Sequence, residues 1–291
     1  MRPSPTDGRA QGPFVLPARV LLLAAGVLAI GLASVNLYPE RHSTNVDIYY
    51  VVVAGLIYVI WLASLVLAWR GLRIGVFLAG LIAFIEFGVV SAGHFVSAPY
   101  DIHLLSLHEG LWTAPVLMAI LPACALTAMA ATVSWSHPTG RRRRLQTLPL
   151  LIVAVLGTIL VILYSTDSLR RGDFGTANAE DATFSAAVTA SLWLVGGLWI
   201  ARLRRVGALL IMLATFIIWY SFISLHLLKG GTSLTTVASK SGVIWAGFGA
   251  GAAILAAASF LVALTLFGVA LVQRRRANSP RAAPAARPAR G

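Results

Sequence analysis

The chain has 291 residues, of which 58% are hydrophobic and only 11% charged, and it carries a formal net charge of +13. Soluble domains carry about 25% charged residues, so this composition excludes a soluble enzyme or binding domain and specifies a polytopic membrane protein. A single cysteine, Cys124, excludes an intramolecular disulfide and any cysteine-based metal site.

Residues 1–14 are polar and rich in Pro, Gly and Arg, and read as a disordered basic arm. Eight apolar stretches follow, near Val15–Leu37, Ile48–Trp69, Ile74–Ala98, Leu111–Trp135, Leu148–Tyr164, Phe184–Ala201, Val206–Leu228 and Val243–Val272. Each approaches the roughly 20 residues that cross a bilayer. Backbone groups in lipid must be satisfied within the segment, so the stretches are expected to be helices; the alternation of a barrel strand is absent. The first run is longer than a signal-peptide core and no clear A-x-A site follows it, so it reads as a retained helix. Pro115 and Pro122 are expected to kink the fourth span. The small residues from Gly247 to Gly251 would let the eighth approach a neighbour closely. Trp69, Trp112, Trp135 and Trp245 fall near helix ends and read as interfacial residues. Residues 136–146 form a basic linker, and residues 273–291 read as a disordered basic tail.

Rarer residues recur at an ungapped offset of 132 positions. Pro17 meets Pro149, Trp61 meets Trp193, Arg70 meets Arg202, Arg73 meets Arg205, Phe84 meets Phe216, His94 meets His226 and Gly110 meets Gly242. The register predicts two tandem four-helix repeats, 15–135 and 147–272. Each holds an even number of spans, so both would share one orientation and be related by a pseudo-two-fold along the membrane normal.

Basic residues set the orientation. With the N-terminus cytoplasmic, all Lys and Arg lie inside except Arg41, Arg170, Arg171, Lys229 and Lys240, and all acids lie outside except Asp7 and Glu86. Both termini are therefore expected to be cytoplasmic, in a multi-pass protein of the cell membrane. The arginines at helix ends would meet an anionic inner leaflet, which accounts for the positive charge without a nucleic acid.

Two histidines stand out. His94 and His226 fall near the far ends of the third and seventh spans, on the face that carries Phe87 in one copy and Trp219 in the other. If those spans faced each other, two imidazoles over an aromatic slot would suit a haem b iron, or half of a copper or zinc site. A structural histidine bonded to a neighbouring helix is the alternative. Glu86 is the only acid inside these apolar stretches; Ile218 stands 132 positions later. A buried carboxylate there would be protonated, hydrogen-bonded or facing a polar cavity, which suits proton coupling or a plain structural bond. The segment Asp101 to Glu109 adds His103 and His108 as candidate metal ligands. Their spacing differs from the i, i+4 pair of a zinc helix, and the leucines between them suit an amphipathic segment lying on the membrane.

Phosphate-loop, nucleophile-elbow and zinc-protease motifs are absent. The four-plus-four plan is similar to that of haem A synthase in architecture alone. That family carries a histidine pair in each half, whereas each half here offers one intramembrane histidine, so no membership follows. The sequence leads to a haem- or transition-metal-binding membrane subunit for electron transfer or respiratory-complex assembly. A small-solute or proton-coupled transporter with its site at the repeat interface, and a scaffold for other membrane subunits, are the rivals.

Overall fold

The computed structural model describes residues 18–43, 48–96, 102–135, 148–174, 178–200, 204–228 and 233–278. The arm at 1–14 and the linker at 136–146 lie outside them. The described residues form α1 (Ala18–Ser43), α2 (Ile48–Trp69), α3 (Arg73–Ser91) with a π-helical turn (Ala92–Val96), α4 (Ile102–His108) and α5 (Thr113–Trp135). They continue as α6 (Leu148–Arg171), α7 (Ala179–Trp199), α8 (Arg204–His226), α9 (Leu234–Ser241) and α10 (Val243–Asn278). Eight of these helices, all but the short α4 and α9, are long and apolar enough to cross a membrane.

Four boundaries differ from expectation; α1 runs to Ser43 rather than Leu37, and each of the other three has a local reason. α6 was expected to stop at Tyr164 but runs to Arg171. Asp167 sits three and four residues before Arg170 and Arg171 and bonds both, at 2.7 and 2.8 Å, so the charges that read as a loop neutralise one another on one helix face. α7 begins at Ala179 rather than Phe184. The Asn178 side chain accepts the Asp181 N–H at 2.7 Å, and Glu180 and Asp181 occupy the first turn, where the helix dipole favours acids. Glu86 is therefore not the sole acid held in a helix. α10 continues to Asn278, so the tail expected from residue 273 starts as helix.

Pro115 falls in the first turn of α5, where a missing N–H is tolerated, and Pro122 lies inside that helix. Trp69, Trp112 and Trp135 are exposed at helix ends. Trp245 instead carries the Arg170 guanidinium 5.5 Å above its ring, tying α6 to α10.

The same packing order occurs twice. α1 packs on α2 and α5, α2 on α3, α3 on α5 and α4 on α5; likewise α6 packs on α7 and α10, α7 on α8, α8 on α10 and α9 on α10. Gly75 presses on the Ala68 backbone, and Gly207, 132 positions on, presses on the Ile200 backbone. Gly110 and Gly242 both turn with φ 99°, a region open to glycine, just before α5 and α10. Trp61 and Trp193 are fully buried.

The two sets join where α5 lies on α7. The seam also brings the π-helical turn and α4 onto α7. It explains the composition of α7, whose mean hydropathy of 1.3 is below the 2.1 or more of every other span while 61% of its apolar window is buried, the largest share. A helix covered by protein need not be as apolar as one covered by lipid. Its Thr183 and Ser191 hydroxyls donate to the Ala179 and Ala187 carbonyls, the back-bonding that satisfies hydroxyls inside a helix.

Gly157 of α6 lets Trp193 approach, because a Cβ there would meet the six-membered ring of the indole. Gly157→Ala is expected to lower stability by about 1–3 kcal/mol through overpacking, read as the melting temperature of the purified protein. An unchanged melt would mean that Trp193 shifts freely.

Candidate functional site

His94 and His226 are both buried, His94 in the π-helical turn that follows α3 and His226 as the last residue of α8. The π-helical turn that carries His94 packs on α3 and α7, and α8, which ends at His226, packs on α7 and α10. Each imidazole has its partner on the first helix of its own set. Asn36 Nδ2 lies 3.3 Å from His94 Nε2, and the Tyr164 hydroxyl bonds His226 Nε2. The expected aromatic slot is also rearranged. Phe87 packs against the core, but Trp219 is 47% exposed. Phe222, at 4.9 Å, and Tyr164, at 5.5 Å edge-on, are the rings around His226. His94 lies in the π-helical turn, whose Phe95 meets Phe184 of α7 at 5.6 Å.

Glu86 is buried and accepts the Tyr58 hydroxyl bond at 3.0 Å, a hydrogen-bonded carboxyl between α2 and α3. His103 and His108 fall on α4, which buries Ile102 and Leu105 and exposes Leu107. His108 is exposed, and His103 Nδ1 is buried without a partner among the described residues. No three His, Cys, Asp or Glu side chains converge on a metal position among the described residues.

What the structure does assemble is a cavity of about 280 Å³ between α6, α7, α8 and α10, at the end where α8 finishes. Small-molecule sites start near 300 Å³, so it is of a size for a small solute. Its wall mixes aromatic and aliphatic groups with hydroxyls: Tyr164, Ser165 and Ser168 from α6, Thr183, Ser185 and Thr189 from α7, and Tyr220, Ser221 and Ser224 from α8. Asp173 and Asp181 also line it. No family model, curated protein or solved structure matches this chain. The cavity is therefore the main guide to function.

A charged cluster braces its wall. Asp167 is fully buried and holds Arg170 and Arg171. Arg171 also donates to Asp173 at 2.7 Å and to Ser168 at 3.3 Å. Two cations and two carboxylates satisfy one another, and Ser168 and Asp173 pass that rigidity to the cavity surface. His226 stands behind the wall and orients Tyr164, which lines it.

Glycine and alanine make the space. Gly249 lets the Tyr164 ring approach, since a Cβ there would meet it at 2.7 and 2.8 Å. Ala252 is the other α10 residue that lines the cavity. The residues 132 positions earlier are Leu117 and Ile120, both fully buried, and Ser165, Ser221 and Ser224 correspond to Ala33, Val89 and Ala92. The first set packs bulk where the second has room and hydroxyls.

Tyr164, Asp167, Arg171 and Gly249 carry no motif that singles them out in the sequence. One signal was available. Val161, Tyr164, Ser165 and Ser168 repeat at i, i+3, i+4 and i+7, and Ser221 and Ser224 at i and i+3, so polar groups share one face of each helix.

Proposed function

We propose that this protein binds and carries a small solute in the cavity between α6, α7, α8 and α10. The supporting observation is a hydroxyl-rich space of about 280 Å³ within an otherwise apolar bundle. Ionisable groups placed among membrane-spanning helices, as Asp173 and Asp181 are at this wall, are functional candidates by default. The reading also takes the chain as two fused four-helix repeats, 15–135 and 147–272, in the cell membrane, with both termini cytoplasmic. The matching packing order supports the duplication, and the arginine distribution supports the orientation. The site then lies inside the second repeat rather than between the two, near the outer face.

A thermal-stability screen of the purified full-length protein tests it, with neutral polyols, amines and carboxylates as probes. A ligand at a hundred times its Kd stabilises by about 2.7 kcal/mol, so one class is expected to raise the melting temperature saturably. A flat response to all three would overturn the reading.

A haem b or copper cofactor on His94 and His226 is the second reading. Burial of both imidazoles favours it; their separate partners, Asn36 and Tyr164, weigh against it. A Soret band or stoichiometric copper, lost in the His94→Ala/His226→Ala double variant, would carry it.

A further inference from the structure

Three features of the cavity restrict what can occupy it. The first is charge. No Lys or Arg lines it among the described residues. Arg171, which bonds the lining residues Ser168 and Asp173, is engaged by Asp167 and Asp173. An anionic solute would lose its hydration and find no counter-charge. Of the two lining carboxylates, Asp173 is bound by Arg171, whereas Asp181 forms no ion pair among the described residues. One negative charge is left for a ligand.

The second feature is the rings. Tyr164, Phe174, Tyr220 and Phe222 all line the space, and aromatic faces attract cations. The third is the opening. Ser185 of α7 and Tyr220 and Ser221 of α8 line the cavity and are also exposed, so it opens sideways between these helices. They close on each other at the opposite end, where Gly196 presses on Ile211 and Gly207 on Ile200. At 1.5 Å per residue the opening lies about 9 Å from the helix ends. Helices of 21–23 residues only just exceed a hydrocarbon core of about 30 Å, so this opening faces lipid tails, and a ligand there gains from an apolar body.

Resting on the solute-binding reading above, we infer that the ligand is a small amphipathic amine carrying one positive charge. Its ammonium pairs with Asp181 and donates to the serine and threonine hydroxyls. Its apolar body lies against Phe174, Tyr220 and Phe222.

Three probes share one ring and differ in charge: benzylamine, benzyl alcohol and benzoate. Each is titrated by saturation-transfer NMR against the full-length protein in lipid nanodiscs, with the Ala252→Ile protein subtracting uptake by lipid. Benzylamine is expected to bind at least tenfold more tightly than the alcohol, with benzoate weakest. Asp181→Asn should lower benzylamine affinity tenfold and leave the alcohol unchanged, and Asp181→Glu should restore most of the difference. Asn178 still caps α7 in both variants, so an unchanged melt checks the fold. Equal affinity for amine and alcohol, or no effect of Asp181→Asn, overturns the inference. If the alcohol or benzoate binds the wild type alone and the amine does not, the ligand class fails while the solute site stands. If none of the three binds and the solute screen is also flat, both fail.

Discussion

Asp167→Ala is expected to cost about 3–5 kcal/mol, the usual effect of removing one partner from a buried ion pair. Asp167 is fully buried and Arg171 has only 6% of its side chain exposed. The variant leaves the Arg171 guanidinium with Asp173 as its one carboxylate and removes the charge that allows the polar end of α6 to stay helical beneath a cover of protein. Total stabilities are about 5–15 kcal/mol, so yields of folded protein should fall sharply, seen as aggregation in size-exclusion chromatography and a lowered melting temperature. Arg170→Ala is the internal comparison. That side chain is 43% exposed, exposed pairs contribute about 0–1 kcal/mol, and its cation–π contact with Trp245 adds about as much again. Equal losses from the two variants would show that Asp167 acts through Arg170 rather than Arg171.

Ala252→Ile is expected to abolish solute binding, by a hundredfold or more, while leaving the melting temperature unchanged or raised. The residue 132 positions earlier is Ile120, which is fully buried at the corresponding point of α5, so this backbone accommodates isoleucine. Filling a cavity commonly adds about 0.5–2 kcal/mol. Overpacking a filled core has the opposite sign, a loss of about 1–3 kcal/mol. Stability and binding thus move apart in this variant. A wild-type solute response that persists in Ala252→Ile would place the binding site elsewhere.

The eight membrane-length helices were legible in the sequence because a span must be long, apolar and internally hydrogen-bonded, all of which composition records. The end of α6 was not. Asp167, Arg170 and Arg171 read singly as loop charges, and only their i, i+3 and i+4 spacing marks them as a neutral helical face. The start of α7 was legible in principle from Asn178, Glu180 and Asp181, an N-cap followed by acids. His94 and His226 were legible as buried polar residues, but not their partners, since Asn36 and Tyr164 lie 58 and 62 residues away in sequence. Trp219 shares a face with His226, yet what covers that face changes along the helix: α6 supplies Tyr164 near the end, and Trp219 stays exposed. The cavity depends on two small side chains, Gly249 and Ala252. Their meaning appears only when Leu117 and Ile120 are seen packed in the other half.

The seam between α5 and α7 has a consequence for how the molecule comes apart. These are the two most buried spans, at 56% and 61% of their apolar windows against 39% or less elsewhere. Each is therefore covered partly by the other half. Neither half has a finished surface of its own, and α7, which also walls the cavity, would be the least suited of all the spans to lipid. Loss of one half strips the other of protein cover rather than leaving an independent domain, so the chain is expected to unfold as one cooperative unit. The wall of the cavity then shares the stability of the whole bundle instead of opening as a separate local unit.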